Sequence, residues 1–364
     1  MRLHFYFARK FALTLLAVTT VFLLILMLLD VVDQIRRFDI GTISVGQATR
    51  LAALSVPSAL YGILPLIVIL STLALFLKLA RTSELVVTRA SGRSALRALG
   101  APLATAFATG LLCVAVLNPI VAATQKEYER LSDEYRHGTR NVLSISREGL
   151  WLRQGGPEGQ MVIRAVRANL DGTRLYDVTF LAFAPKAGPV WRIEAREAEL
   201  TAGAWEITEA KRWTFDTANP EAGATQHAHL SLPSDLTRDR IRDSFGTPSA
   251  IPIWQLPDFI ASLKRAGFSA RQHEVWLQME LALPALFVAM MMIGAAFTMR
   301  HTRFGRTGIM VMGALGLGLA LFFLRNFAQI LGENGQIPVA LAAWSPPVIG
   351  IMMALALILH MEEG

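Results

Sequence analysis

Six long stretches of this chain carry no acidic or basic side chain, and their grouping dictates what it can fold into. Residues 11–29, 51–77 and 98–125 contain no Asp, Glu, Lys or Arg, and neither do residues 281–299, 307–324 and 334–359. A helix needs roughly 20 apolar residues to cross the hydrocarbon core of a bilayer, and each stretch is about that long or longer. The pattern predicts a polytopic α-helical membrane protein with six transmembrane helices, three before and three after a water-exposed insertion. The divisions are residues 1–125 for spans 1 to 3, 126–275 for the insertion with flanking helical segments, and 276–364 for spans 4 to 6.

Composition agrees. Charged residues are 17% of the chain, against about 25% in a typical soluble domain. The net charge is +7, which in a soluble protein would raise nucleic-acid binding. Here the cations sit in short loops beside apolar spans, where they set orientation, and no nucleic-acid partner is expected. The single cysteine, Cys113, falls inside the third apolar stretch and is expected to pack as a small residue. The first span is expected to be retained. It is longer than the apolar core of a signal peptide, and no small-residue cleavage site follows it before Asp30.

The loops order themselves by charge. Arg2, Arg9 and Lys10 precede span 1; Lys78, Arg81, Arg89, Arg93 and Arg97 lie between spans 2 and 3 with Glu84 as the sole acid; Arg300, Arg303 and Arg306 lie between spans 4 and 5. The opposite loops are poorer: Arg36, Arg37 and Arg50 are offset by Asp30, Asp33 and Asp39, and Arg325 by Glu333. The positive-inside rule then predicts both termini in the cytoplasm and residues 126–275 outside it.

From about residue 140 to 235 the apolar residues alternate. Trp191, Ile193 and Ala195 interleave with Arg192, Glu194 and Arg196, and Tyr176, Val178 and Phe180 with Asp177 and Thr179. Turn signals such as Gly155-Gly156-Pro157, Asp171-Gly172 and Ala202-Gly203 separate the runs. This predicts six or more antiparallel strands in a sandwich or open barrel with one apolar face. That face is either an ordinary core or a place for an acyl chain, and the residues alone do not choose. Residues 252–267 predict a short amphipathic helix with Leu256, Phe259, Ile260 and Leu263 on one side.

No phosphate-binding loop, dinucleotide fingerprint, nucleophile elbow or zinc-binding helix motif occurs. His227 and His229 have no third ligand nearby, so no metal site and no catalytic residue is assigned. The sharpest local signal is the loop from Arg81 to Gly92. Thr82 or Ser83 can cap a helix of about residues 82–92, Glu84 then sits in its first turn where the helix dipole favours a carboxylate, and Gly92 can close it. Such a helix is too short to span. It either docks on a cytosolic partner or lies on anionic headgroups.

Several strings of this chain resemble the lipopolysaccharide-export permease family, the paired LptF/LptG subunits of an ATP-binding-cassette transporter. They are Val32-Asp33-Gln34 with Arg36-Arg37, Ser55-Val56-Pro57, Ser83-Glu84-Leu85-Val86-Val87 with Ala90-Ser91-Gly92, Tyr135-Arg136, Gly149-Leu150-Trp151, and Gly335-Gln336-Ile337-Pro338 with Ala343-Trp344. The strings of span 1 and of the loop look more like the LptG branch. The resemblance covers nearly the whole chain and implies a periplasmic antiparallel β-jellyroll between helices 3 and 4, in the inner membrane of a Gram-negative bacterium.

The resemblance also implies partners and roles. The partners are an LptF-like permease, an LptB-like ATPase dimer, and the periplasmic bridge of LptC and LptA; the substrate is lipopolysaccharide. No cofactor is bound directly, and ATP and Mg are used by the ATPase. Motor coupling falls on Glu84, with Ser83, Arg81, Leu85 and Arg89 around it. Lipid contact falls on Arg36 and Arg37 with Asp33, joined by Arg136 and Arg325 near the same interface. Spans 1 and 5 line the gates against the partner permease. Arginine suits lipid phosphates because its planar fork makes two charge-assisted hydrogen bonds. One departure stands out: the family's pattern often has lysine three residues before Asp33, where this chain has Asp30. Two other classes stay open on residues alone. A membrane-anchored sensor or scaffold would need no docking helix, and a secondary transporter would want buried mid-membrane charge, for which only Glu280 comes close.

Overall fold

The computed structural model describes residues 2–37, 44–82, 84, 95–137, 143–146, 149–156, 159–169, 172–184, 188–215, 219–234, 236–237, 247–265, 269–298 and 307–363. The helices are α1 (Arg2–Arg37), α2 (Val45–Arg81), α3 (Ala95–Leu112), α4 (Asn118–His137), α5 (Leu256–Arg265), α6 (Arg271–Thr298), α7 (Thr307–Glu333) and α8 (Val339–Glu363). A π-turn, Cys113–Leu117, joins α3 to α4 as the third span. Among the described residues, six helices are long and apolar enough to cross a membrane, as expected. The chain divides into a helical unit, Met1–Tyr128 with Ile251–Trp254 and Arg271–Gly364, and a β unit, Glu129–Ala250 with Gln255–Ala270.

In the helical unit, span 4 (α6) is the centre. Phe287, Met290, Met291, Ile293 and Ala295 are fully buried. Burial covers 78% of the most apolar window of span 4, against 17% for span 5 and none for span 1. Span 2 opens with a capping box: the Ser44 hydroxyl accepts from Gln47 N–H, and the Gln47 side-chain carbonyl accepts from Ser44 N–H.

Three glycines of span 5, Gly313, Gly318 and Gly332, pack against neighbours. A Cβ on Gly318 would lie 2.5 Å from Ile69 Cδ1 of span 2, and one on Gly313 would lie 2.9 Å from Phe297. Gly308 and Gly316 face open space. The least forgiving site is Gly110 of span 3, where a Cβ would stand 2.5 Å from the backbone Cα of Pro284 in span 4. A backbone atom cannot swing away as a side-chain tip can. Gly110→Ala is therefore expected to destabilise the bundle by about 1–3 kcal/mol, read as a lower unfolding midpoint in detergent. Gly100→Ala, with nothing within 4 Å, should hold or gain a little from helix propensity.

The loop joining spans 5 and 6 explains the Gly335-Gln336-Ile337-Pro338 string. Gly335 has φ +83°, a left-handed position that closes α7. Arg271, at the start of span 4, donates from Nε to Gly332 O and from Nη2 to Ile337 O, both at 2.7 Å. Trp344 Nε1 donates to Gln278 Oε1 at 3.0 Å. Those residues hold the ends of three helices together.

Among the described residues the β unit contains one seven-stranded antiparallel sheet: β1 (Leu143–Ser146), β2 (Gly149–Gly156), β3 (Gly159–Ala168), β4 (Arg174–Ala184), β5 (Gly188–Thr201), β6 (Ala204–Thr214) and β7 (Thr225–Pro233). The expected antiparallel domain is present. Its strands pair strictly in chain order, so it is a meander, and the crossed connections of a Greek-key jellyroll do not occur among the described pairings. The apolar face closes as a core: Leu150, Ile163, Phe180, Ile193 and Trp205 have no exposed surface. In α5, Leu256, Ile260 and Leu263 are buried along the predicted side.

The alternation is not continuous. Buried residues jump by three along one line through four strands, from Ala165 to Ala168, Leu175 to Val178, Ala195 to Ala198 and Ile207 to Ala210. The flip falls where Asp177 and Glu209 take φ +53° and +55°. A left-handed residue rotates the pleat by half a period, so residues on both sides of the line turn the same way. Tyr176, expected on the apolar face, consequently lies on the other, and Leu175 takes its place. On that other face Trp151, Val162, Arg164, Leu181, Arg192 and Phe215 line an open groove of about 380 Å³.

Candidate functional sites along span 1 and around Glu280

Helix α1 runs unbroken from Arg2 to Arg37, and the lipid and coupling residues inferred from sequence meet it at opposite ends. At the C-terminal end Arg36 and Arg37 are exposed. Arg37 Nε donates to Asp33 Oδ2 at 2.8 Å, one helical turn back. Both ends of this pair are about half exposed, so it orients Arg37 more than it stabilises the helix. Asp30, the departure from the family pattern, turns inward. It accepts from the Ser55 hydroxyl of span 2 and, at 3.3 Å, from Gln34 Nε2, which also contacts Tyr128 OH. Asp30 thus ties span 1 to span 2, and Ser55-Val56-Pro57 supplies the other half of the tie.

At the N-terminal end sits Glu84. Lys10 Nζ lies 2.8 and 2.9 Å from its two carboxylate oxygens, Tyr6 OH donates to Oε2 at 3.0 Å, and Thr82 Oγ1 to Oε1 at 3.1 Å. Partial burial alone would raise this carboxyl. The hydrogen bonds from Lys10, Tyr6 and Thr82, with the Lys10 charge, outweigh it and hold Glu84 below the usual carboxylate range. Glu84 is therefore an anion at neutral pH. Its share of stability is present above the unfolded-state value and is lost only as pH falls through the lowered one. Arg81 ends α2 and is exposed. Ser83, Leu85, Arg89 and the rest of the helix expected over 82–92 lie outside the described residues.

A third cluster is buried among the spans. Glu280 of span 4 has 1% exposure. Tyr61 OH of span 2 donates to it, and Asn118 Nδ2 of span 3 donates at 3.1 Å. Asn118 follows the π-turn, and its Oδ1 accepts from Ile253 N–H at 2.9 Å. Ala115 O, inside that turn, accepts from Trp254 Nε1 at 3.2 Å. Arg325 of span 5 interacts electrostatically with Glu280 and contacts Asn326 Oδ1 at 3.4 Å. The structure thus brings Arg36, Arg37 and Asp33 together, and gives Arg325 an acidic neighbour of its own. Arg136 lies in α4, and its side chain is outside the described residues.

Sequence reasoning passed over Tyr6, Lys10, Tyr61 and Asn118. Signals existed for all four. Tyr6 and Lys10 are four apart and share a helix face. Tyr61 and Asn118 are polar groups inside uncharged spans, where such groups need partners.

A six-span helical bundle interrupted by one antiparallel sheet domain defines a polytopic membrane protein with an inserted β domain. The chain belongs to the lipopolysaccharide export system permease LptF/LptG family, whose profile matches residues 5–360. Among its relatives, the lipopolysaccharide export system permease protein LptG of Escherichia coli strain K12 is 25% identical over 358 residues, covering 92% of this chain and 91% of that one. LptG of Haemophilus influenzae is 24% identical over 341 residues, covering 88% of each.

Proposed function

We propose that this chain is the LptG-type transmembrane subunit of an ATP-binding-cassette exporter in the inner membrane. It pairs with an LptF-like permease on an LptB-like ATPase dimer, extracts lipopolysaccharide from the membrane, and passes it toward the LptC and LptA bridge. It catalyses nothing itself. ATP and Mg belong to the motor, both termini face the cytoplasm, and the β unit is periplasmic.

The observation that carries this reading is the family match from residue 5 to 360, which takes in both helical halves and the sheet. What supports pairing with a second permease is the bareness of spans 1 and 5. Leu24, Leu28, Ile309, Met312 and Phe323 are each more than three-fifths exposed, and in a membrane such faces meet lipid or another helix. Arg36 and Arg37 hold the lipid phosphates, and Asp33 presents Arg37. Arg136 and Arg325 complete the basic rim, and Arg81 with Ser83, Leu85 and Arg89 surrounds the motor contact at Glu84.

Reversing both arginines tests the lipid site. Arg36→Glu with Arg37→Glu should weaken lipid crosslinking by at least tenfold, since each lost charge-assisted hydrogen bond is worth about 1.5–3 kcal/mol. Membrane insertion should be untouched because both side chains are exposed. Unchanged photocrosslinking to lipopolysaccharide in the double variant would refute the assignment.

A further inference from the structure

Span 1 is the one span of six whose sequence has neither proline nor glycine. Span 2 holds Pro57 and Pro65, span 3 Pro102, span 4 Pro284, span 6 Pro346 and Pro347, and span 5 its glycines. Sharp kinks in helices arise at such residues, and α1 has none of them. Its buried residues lie only near its ends. Phe7, Phe11 and Leu15 are buried at one end and Gln34 at the other, and among the described residues none between Leu15 and Gln34 is buried.

The N-terminal attachment surrounds Lys10. Its ammonium straddles both Glu84 oxygens and also sits 4.3 Å from the centre of the Tyr6 ring, a cation–π contact that fixes the donor as well as the acceptor. Glu84 is thereby tied to a helix that lies 74 residues away in sequence. From Lys10 to Arg36 that helix spans about 39 Å at 1.5 Å per residue.

We propose that Lys10 is a positioning residue that locks the coupling carboxylate Glu84 to span 1, so that this helix is the rod carrying the motor's movement to Arg36 and Arg37. The inference rests on the reading that Glu84 meets the ATPase. A carboxylate has about four acceptor sites, and Lys10 and the hydroxyls of Tyr6 and Thr82 are among the groups that share them here. An arginine arriving from the motor displaces the two neutral hydroxyls and leaves Lys10 in place. The carboxylate then bridges a cation of the motor and a cation of span 1, and a shift of the first moves the second as one body. The C-terminal end of α1 responds at Arg36 and Arg37, where the bundle holds it through Asp30 and Gln34.

The test uses the whole transporter with its ATPase, reconstituted in phosphatidylethanolamine–phosphatidylglycerol vesicles containing lipopolysaccharide, with ATP hydrolysed per lipid exported as readout. Lys10→Met keeps the apolar stem over Tyr6 and removes the charge. It should leave the ATPase bound and raise ATP consumed per lipid roughly tenfold, the scale of losing one charge-assisted pair in a partly desolvated site. Lys10→Arg should restore most of the coupling. Val21→Gly softens the exposed middle of the rod without touching either end, and should also raise ATP per lipid, whereas Val21→Ala should not. Wild-type stoichiometry in Lys10→Met or in Val21→Gly overturns the proposal, as does loss of the ATPase from Lys10→Met, which would make Lys10 a docking residue. Should Lys10→Met fail to assemble, the Val21 pair decides alone. If Glu84→Lys keeps both motor and export, it is the underlying reading of Glu84 that fails.

Discussion

Glu84→Lys is expected to abolish lipopolysaccharide export while the chain still inserts and folds. Two readings of this carboxylate differ by enough free energy to be told apart. As a partner for the first turn of a helix it contributes roughly 0.3–1 kcal/mol, and its loss would be nearly silent. As one member of an ion pair across an interface with the ATPase, its truncation leaves a charge unpaired in a partly desolvated site, at about 2–5 kcal/mol. That is enough to uncouple or release the motor. The structure adds a second contribution of the same sign. Lys10 already straddles Glu84, so a lysine at position 84 would face one ammonium with another. Glu84→Ala is therefore the milder variant: it removes both pairs without adding repulsion. A reversed charge on the ATPase arginine should restore export to Glu84→Lys only in part, because the Lys10 side stays broken. Full restoration would show that Lys10 is a bystander. Wild-type transport and normal ATPase co-purification in Glu84→Lys would reduce the loop to a topology signal.

The architecture was legible because a membrane imposes a one-dimensional rule. Backbone polar groups must be satisfied within each span, so uncharged stretches of sufficient length announce helices before any packing is known. The β unit obeyed its own period-two rule until the line through Asp177 and Glu209. Nothing in the local pattern marked the flip. Tyr176 and Leu175 are both apolar enough for a core, and only the backbone conformation at Asp177 decides which is buried. Strand order is likewise a tertiary property. A jellyroll and a meander draw on the same alternating runs, and they differ in which edges meet.

The sites were legible in part, for a similar reason. Arg36, Arg37 and Glu84 are charges beside long apolar runs, and each stands out in one dimension. Their neighbours come from far along the chain. Lys10 reads as one more topology cation until span 1 and the loop after span 2 are brought together. Asp30 reads as a lost phosphate contact until Ser55 is seen to donate to it. Arg325 reads as part of the basic rim, yet an acid on another span interacts with it electrostatically.

That acid carries the second large expected effect. Glu280→Leu should destabilise the helical unit by about 3 kcal/mol or more. Losing the hydrogen bonds alone would not do this, since side-chain hydrogen bonds between membrane helices average near 0.6 kcal/mol. The larger effect comes from what the carboxylate leaves behind. Tyr61 and Asn118 keep buried donors without their acceptor, and Arg325 keeps a charge without its acidic neighbour. Each buried donor stranded without its acceptor costs about 1–3 kcal/mol, and Arg325, whose attraction to Glu280 acts over a longer range than a direct ion pair, adds an electrostatic share. The two contributions separate in a cycle. Glu280→Gln retains an acceptor for Tyr61 and removes only the charge, so its loss beyond a hydrogen bond measures Arg325. Arg325→Leu added to Glu280→Leu should recover part of the stability, giving a coupling energy on the order of 1–3 kcal/mol between positions on spans 4 and 5. Unfolding midpoints of the purified chain in detergent read each corner of the cycle. Strict additivity of the two leucine substitutions would show that Glu280 serves Tyr61 and Asn118 alone, and that Arg325 is free to face the lipid.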